Sequence, residues 1–186
     1  LNGESLPVVS DLLVSDPDTW WVDKMYLQDA VFAATHSTDP HTQTGAALVI
    51  PGGGVLLKNW NAVPTRLAKA GYPKTPAQKD HCTEHAERRV IYQAVMNKLH
   101  TGGLTLYTTQ IPCCDCARAI IQFGIGRVVT LAVLAEKTPE QWQESACESV
   151  SMLRDVGVPV IGWTGKLSPK YSIRFNGEVL TGEDMG

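Results

Sequence analysis

No run of about 18 apolar residues occurs anywhere in this 186-residue chain, which excludes a helix that spans a membrane. The opening segment, Leu1 to Pro17, also lacks the charged-then-apolar grading of a secretory signal. These absences lead to the expectation of a cytoplasmic protein with no membrane partner. The sequence opens on Leu1 rather than Met and is read as continuing upstream. Basic charge is not in surplus either: 16 Lys and Arg stand against 19 Asp and Glu, a net charge of −3. Phosphate-backbone binding depends on concentrated Lys and Arg, so this balance argues against a nucleic-acid partner. Polynucleotide editing would further need stacking aromatics in a basic groove, and Trp60 is the one loop aromatic that offers itself. Cysteine is scarce and odd in number, five, and three of these are Cys113, Cys114 and Cys116. Disulfides among such close neighbours would be strained, so metal binding explains the crowding better than a disulfide framework does, in keeping with a reducing compartment.

What is present fits one domain, long enough to bury roughly 70% of its unfolded surface. Residues 1–17 are polar and broken by proline, and are read as a tail. Asp18 is a plausible N-cap for a helix through Trp20, Leu27, Val31 and Ala34 to about His36. Gly45–Pro51 and Val55–Asn59, separated by three glycines, read as a hairpin of two strands. The segment from Trp60 to Cys82 reads as a long loop, which in a compact domain is usually functional. Thr83 is expected to cap a helix to about Leu99, and Cys113 to open another with Cys116, Ala119, Ile120 and Phe123 on one face. Leu104–Thr109, Arg127–Ala135 and Val158–Trp163 read as strands, and Thr138–Gln141 resembles a capping box for a helix carried by Trp142, Ala146, Val150 and Leu153. A small hairpin is expected around Asn176-Gly177. The division expected is a tail over 1–17, a main domain over 18–163 and a C-terminal extension over 164–186. Helices alternating with strands predict an α/β fold with parallel pairing.

The chemistry concentrates in His85-Ala86-Glu87 and Pro112-Cys113-Cys114-Asp115-Cys116. Two thiols three apart at a helix start share a face, and one imidazole from another helix completes three ligands for Zn²⁺. Three ligands leave a fourth position for water, whose pKa zinc lowers to about 7. Glu87 is expected to be the general acid–base group and not a ligand. Two residues along an ideal helix is a turn of roughly 200°, so His85 and Glu87 converge only if that first turn is irregular. A closed structural shell of Cys82, His85, Cys113 and Cys116 is the competing reading, and it gives Glu87 no role. Cys114 and Cys147 are read as packed thiols. His36, His41 and His100 are read as surface or loop residues, and His81 beside Cys82 is weighed against a second metal site.

His-x-Glu followed by Pro-Cys-x-x-Cys is the signature of the zinc-dependent nucleobase deaminases. The segment Ser37-Thr38-Asp39-Pro40-His41-Thr42-Gln43-Thr44-Gly45-Ala46 further resembles the Asp-Pro-x-Thr-Gln-x-Gly-Ala segment of the deoxycytidylate (dCMP) deaminase family, and Asn61-Ala62-Val63-Pro64 is similar to its Asn-x-x-Pro loop. The stretch from Tyr107 through Pro112-Cys113 to Val129 is similar as well, so the resemblance covers about residues 20–163. It implies the cytidine deaminase-like three-layer α/β/α sandwich around a five-stranded mixed sheet. It also implies that Asn61 contacts the sugar, that Thr44 walls the base pocket, and that the Ala86 N–H meets the base carbonyl. The implied reaction is dCMP plus water to dUMP plus ammonia, by a homo-oligomer such as a hexamer, with dCTP and dTTP as effectors. After Glu87 the dCMP branch continues with x-Asn-Ala, whereas this chain has Arg88-Arg89-Val90, and the first of these arginines resembles the free cytidine deaminases. Arg88 and Arg89 are therefore read either as a solvated helix face or, with Arg66, as candidates to receive a 5′-phosphate through a bidentate fork. Alternatives to dCMP are another free base or nucleoside such as cytidine or guanine, a tRNA adenosine, or a zinc-stabilised binding module without catalysis.

Overall fold

Alternate residues along each central strand enter two different apolar clusters, and that alternation sets three layers. The computed structural model describes residues 11–185. Its main sheet comprises β1 (Leu13–Val14), β2 (Gly45–Val49), β3 (Val55–Trp60), β4 (Thr105–Thr108), β5 (Arg127–Leu131) and β6 (Val160–Trp163), in the order β1-β6-β5-β4-β2-β3. β2 runs antiparallel to β3 and β4, while β4, β5, β6 and β1 pair in parallel. Leu48, Leu106, Val128 and Val160 join one cluster, and Val49, Tyr107, Val129 and Ile161 join the other. Strands covered on both faces carry continuous apolar runs, which is why they stand out in the sequence.

One face is covered by α1 (Trp20–Ala34) through Leu27, Ala30 and Val31. The opposite face is covered by α4 (Ala86–Met96), α5 (Cys114–Gln122) and α7 (Glu140–Asp155). The short helices α2 (Thr65–Lys69), α3 (Lys79–Cys82) and α6 (Ala132–Glu136) fill the connections. The layering is the α/β/α sandwich expected, with one strand more than the five anticipated. That strand, β1, pairs Leu13 with Ile161 from within the segment read as a tail; residues 1–10 of that segment lie outside the described residues. The loop expected over residues 60–82 contains α2, a 3₁₀ turn at Pro76–Gln78 and α3. The strand expected to reach Ala135 stops at Leu131 and turns into α6.

The C-terminal hairpin forms as β7 (Ser172–Phe175) and β8 (Glu178–Thr181), with Asn176 and Gly177 both at positive φ, 51° and 85°. That is the two-residue turn geometry an Asn-Gly pair favours. Ile173, Phe175 and Leu180 pack into the α1-side cluster, and Gln43 and Arg174 exchange two hydrogen bonds of 2.8 Å, so the extension is bound to the body. Close packing also fixes Gly45: a Cβ there would lie 2.0 Å from the Ala30 carbonyl oxygen of α1.

Asp23 of α1 is fully buried and accepts from the Tyr107 hydroxyl at 2.8 Å and from both Arg127 guanidinium nitrogens at 2.9 and 2.8 Å. This fork ties α1 to β4 and β5. Removing one partner leaves the others desolvated and unpaired, a cost of about 3 kcal/mol or more. Asp23→Ala is therefore expected to lower unfolding free energy by about 3 kcal/mol in urea titrations, where ordinary surface changes stay within about 0.5 kcal/mol.

Candidate metal centre

The strand register brings several chain ends to one edge of the sheet. β2 begins there at Gly45, opposite Trp60 at the end of β3, and Ala46 lies opposite Thr108 at the end of β4. Crevices beyond the carboxyl ends of parallel strands are the usual ligand sites of such sheets. At this edge a cavity of about 690 Å³ opens, lined by Thr44, Asn61, His85, Glu87 and Cys113 among others.

A short antiparallel bridge sets His85. Ala62 and Glu84 exchange backbone hydrogen bonds of 3.1 and 3.0 Å, which keeps the chain extended into His85 at φ −73° and ψ 150°. His85, and not Thr83, is thus the N-cap of α4, which starts at Ala86. The ideal-helix separation between His85 and Glu87 does not arise, because only Glu87 has entered the helix. Cys113 is likewise an extended cap, at φ −78° and ψ 172°, with Cys116 in the first turn of α5. The start of α5 is anchored to α7: the Cys114 N–H donates to Ser145 Oγ at 3.0 Å, and the Cys114 thiol donates to the Ser145 carbonyl at 3.3 Å.

His85 Nδ1 lies 3.5 Å from both Cys113 Sγ and Cys116 Sγ, and the three atoms fall within 4.8 Å of one another. Zinc with ordinary Zn–N and Zn–S lengths holds an N and an S about 3.6 Å apart at a tetrahedral angle, so the donors fit that ion. Among the described residues this is the single grouping of its kind, and Cys82 and His81, on α3, lie outside it. The closed four-ligand shell is not assembled.

Charge in the cluster is shared. Pairing with Cys116, then contact with His85, pulls Cys113 down to about 4, while the same pairing and burial push Cys116 well up. The bond to Cys113 raises His85. Glu87 is 4% exposed, and burial raises its carboxyl above the ordinary range.

The remaining predicted residues fall in different places. Asn61 and Thr44 line the cavity, and the Asn61 amide joins the two walls, accepting from the Thr44 N–H at 2.8 Å and donating to the Thr42 carbonyl at 2.9 Å. Ala86 is fully buried, and its N–H belongs to a first turn whose donors have no intrahelical partner. Arg66 is exposed on α2, away from the cavity lining. Arg88 is held by Glu84 and by Asp115 at 3.4 Å. Arg89 donates to the Trp60 carbonyl and lies over the Trp60 ring, which stacks on His36 at 5.1 Å. Trp60 is therefore the packed end of β3 rather than a free platform.

Sequence reasoning missed several wall residues. His41, read as a surface or loop residue, is exposed on its loop and also lines the cavity, as do Lys79, Gln110 and Asn176. Gln110 Nε2 is buried without a partner. Trp142 was expected to share the core face of its helix. Ala146, Val150 and Leu153 are buried there, but Trp142 is 40% exposed, edge-on to the His85 ring at 6.2 Å. The capping box expected before it does not form: the N-cap is Pro139, with no side-chain cap hydrogen bond, and the Thr138 hydroxyl donates back to the Leu134 carbonyl at 3.5 Å.

Residues 21–132 match the family described as the cytidine and deoxycytidylate deaminase zinc-binding region. A probable deoxycytidylate deaminase of Drosophila melanogaster is 30% identical over 121 residues, 59% of this chain and 59% of that protein. The deoxycytidylate deaminase of Mus musculus is 27% identical over 155 residues, 79% of this chain and 80% of that protein. The match to the fly protein thus spans about three fifths of its length. In fold, the chain is similar to the dCMP deaminase of cyanophage S-TIM5 in complex with dCMP and dUMP, with a TM-score of 0.60 at 20% identity, covering 78% of this chain and 97% of that one.

Two outcomes follow from the cluster. Elemental analysis is expected to find zinc retained in Cys82→Ser and lost in Cys113→Ser; zinc loss in the Cys82 variant would instead support the closed shell. Because Cys116 holds its proton in the metal-free cluster, zinc loading at neutral pH must release it, and affinity rises with pH. Calorimetry in buffers of different ionisation enthalpy reads that release directly, and a buffer-independent heat would contradict it.

Proposed function

The chain belongs to the cytidine and deoxycytidylate deaminase family, and from that premise we propose that it deaminates a free pyrimidine deoxynucleotide, converting dCMP and water to dUMP and ammonia. The observation that carries the reading is a buried carboxyl, Glu87, beside a three-donor cluster of which His85 and Cys113 line the same cavity. Three donors leave a coordination position for chemistry, whereas structural zinc takes four. We assign His85, Cys113 and Cys116 as the zinc ligands. Zinc, when bound there, supplies Lewis-acid activation of water at neutral pH.

Glu87 moves the protons. Burial favours the protonated carboxyl, so Glu87 readily takes a proton from the attacking water and passes it to the ring N3 of cytosine. The water oxygen bonds to C4, and the proton of the resulting C4 hydroxyl passes through Glu87 to the C4 amino group, so that the C4–N bond breaks, ammonia leaves and the C4 carbonyl completes uracil. In this reading Asn61 contacts the sugar, Thr44 walls the base, and the Ala86 N–H meets the base carbonyl. A cavity of about 690 Å³ lies within the usual range for small-ligand sites and is large enough for a mononucleotide. Relatives named deoxycytidylate deaminase support dCMP as the base and sugar of choice. The deaminase domain is assigned to residues 18–163, between a leading segment over 1–17 and an extension over 164–186. A homo-oligomer and dCTP and dTTP as effectors rest on the family resemblance, and a cytoplasmic location rests on the cysteine usage of the sequence. Among the described residues no helix is long and apolar enough to cross a membrane.

Glu87→Gln keeps the shape and removes the proton carrier. It is expected to lower kcat for ammonia release from dCMP by about 10²- to 10⁴-fold while zinc content stays stoichiometric. A zinc-loaded Gln variant that turns over like wild type would end the acid–base assignment.

A further inference from the structure

A nucleotide brings a phosphate dianion, and none of the three arginines considered for it reaches the cavity: Arg66 is exposed on α2, Arg88 is held by Glu84 and Asp115, and Arg89 by Trp60. The chain has 16 Lys and Arg residues, all of them among the described residues, and Lys79 is the one that lines the cavity.

Lys79 is built into its place. Its ammonium lies 2.9 Å from Asp39 Oδ2, and the Asp39 side chain is 6% exposed against 31% for Lys79. Asp39 Oδ1 accepts from the backbone N–H groups of His41 and Thr42 at 2.8 and 2.9 Å, so the carboxylate is fixed from below. Lys79 lines the cavity, as does Asp80, whereas Asp39 is not among the lining residues and holds the ammonium from behind the wall. Asp80, at 3.9 Å, is too distant for a hydrogen bond. An ammonium has three donors, and Asp39 takes one of them.

Resting on the deaminase reading above, we propose that Lys79 receives the substrate's phosphate and makes the enzyme select a nucleotide over its nucleoside, with Asp39 as the positioning residue that holds the ammonium at the wall. A phosphate oxygen replaces water on the free N–H donors, forming the charge-assisted bonds that favour a dianion over a neutral 5′-hydroxyl. The selection works through substrate binding and not through the proton transfers at Glu87.

The test compares kcat/KM for dCMP and deoxycytidine in zinc-loaded wild type, Lys79→Gln and Lys79→Arg. Lys79→Gln is expected to lower the dCMP-to-deoxycytidine ratio by about tenfold to a hundredfold, chiefly through KM, and Lys79→Arg to restore most of it. An unchanged ratio overturns the proposal, as does an equal fall on both substrates, the result of a merely structural tie between α3 and the 37–44 loop. Calorimetry with dUMP and deoxyuridine needs no turnover: wild type is expected to bind dUMP more tightly and Lys79→Gln to lose that preference. A wild type with no preference for dUMP refutes the assignment of Lys79. A wild type that binds dUMP through Lys79 yet deaminates no pyrimidine supports the anion site and overturns the deaminase reading instead.

Discussion

Two helix caps that face each other, His85 before α4 and Cys113 before α5, are the constraint on which the site depends. Both are extended, at ψ 150° and 172°, so their side chains project from helix ends rather than lying along helix flanks. Each cap is fixed by a contact remote in sequence. The Ala62–Glu84 bridge holds the first, and the bonds from Cys114 to Ser145 hold the second. The approach of His85 Nδ1 to two sulfurs at 3.5 Å is the sum of those two anchors. Helix starts also carry positive partial charge, which favours thiolate sulfur and lowers the cost of gathering anionic ligands.

The surrounding charges keep that gathering stable. Arg88 lies between the Glu84 and Asp115 carboxylates and also faces the Cys116 and Cys113 sulfurs, whose anionic forms it favours. It is neither a solvated helix face nor a phosphate ligand, but a half-buried cation that offsets sulfur charge from outside the cavity. Glu87 is the opposite case. It lacks a cation as its first influence, burial dominates, and the carboxyl is biased toward holding a proton. Neighbouring residues on one helix turn thus have opposite tasks, one fixing charge and the other, in the proposed reaction, moving it.

The sequence made the local parts of this legible. The apolar runs of β2, β4, β5 and β6 are read directly because both faces of the sheet are covered, and the ligand spacing of Cys113 and Cys116 is a property of one helix turn. What depended on a distant partner was not legible. β1 has two residues and exists through its pairing with β6. The start of α4 was placed two residues early because the bridge to Ala62 cannot be seen from Thr83 onward. Asn176 reaches the cavity only because the hairpin that carries it docks on Gln43 and Thr42.

The division between chemistry and selection follows the same line. The family match ends at residue 132, and within it lie His85, Glu87, Cys113 and Cys116. Trp142, Gln141 and Asn176, which wall the same cavity, lie beyond it, on α7 and on the hairpin turn. Lys79 lies inside the matched span, on a four-residue helix in a connection that joins β3 to α4. Connections and appended segments can change without disturbing the caps, since the ligand geometry depends on the sheet edge and the two helix starts. On the proposed reading the shared signature carries the attack of water on an amidine carbon, while the identity of the molecule that carries that carbon is written in residues the signature does not include.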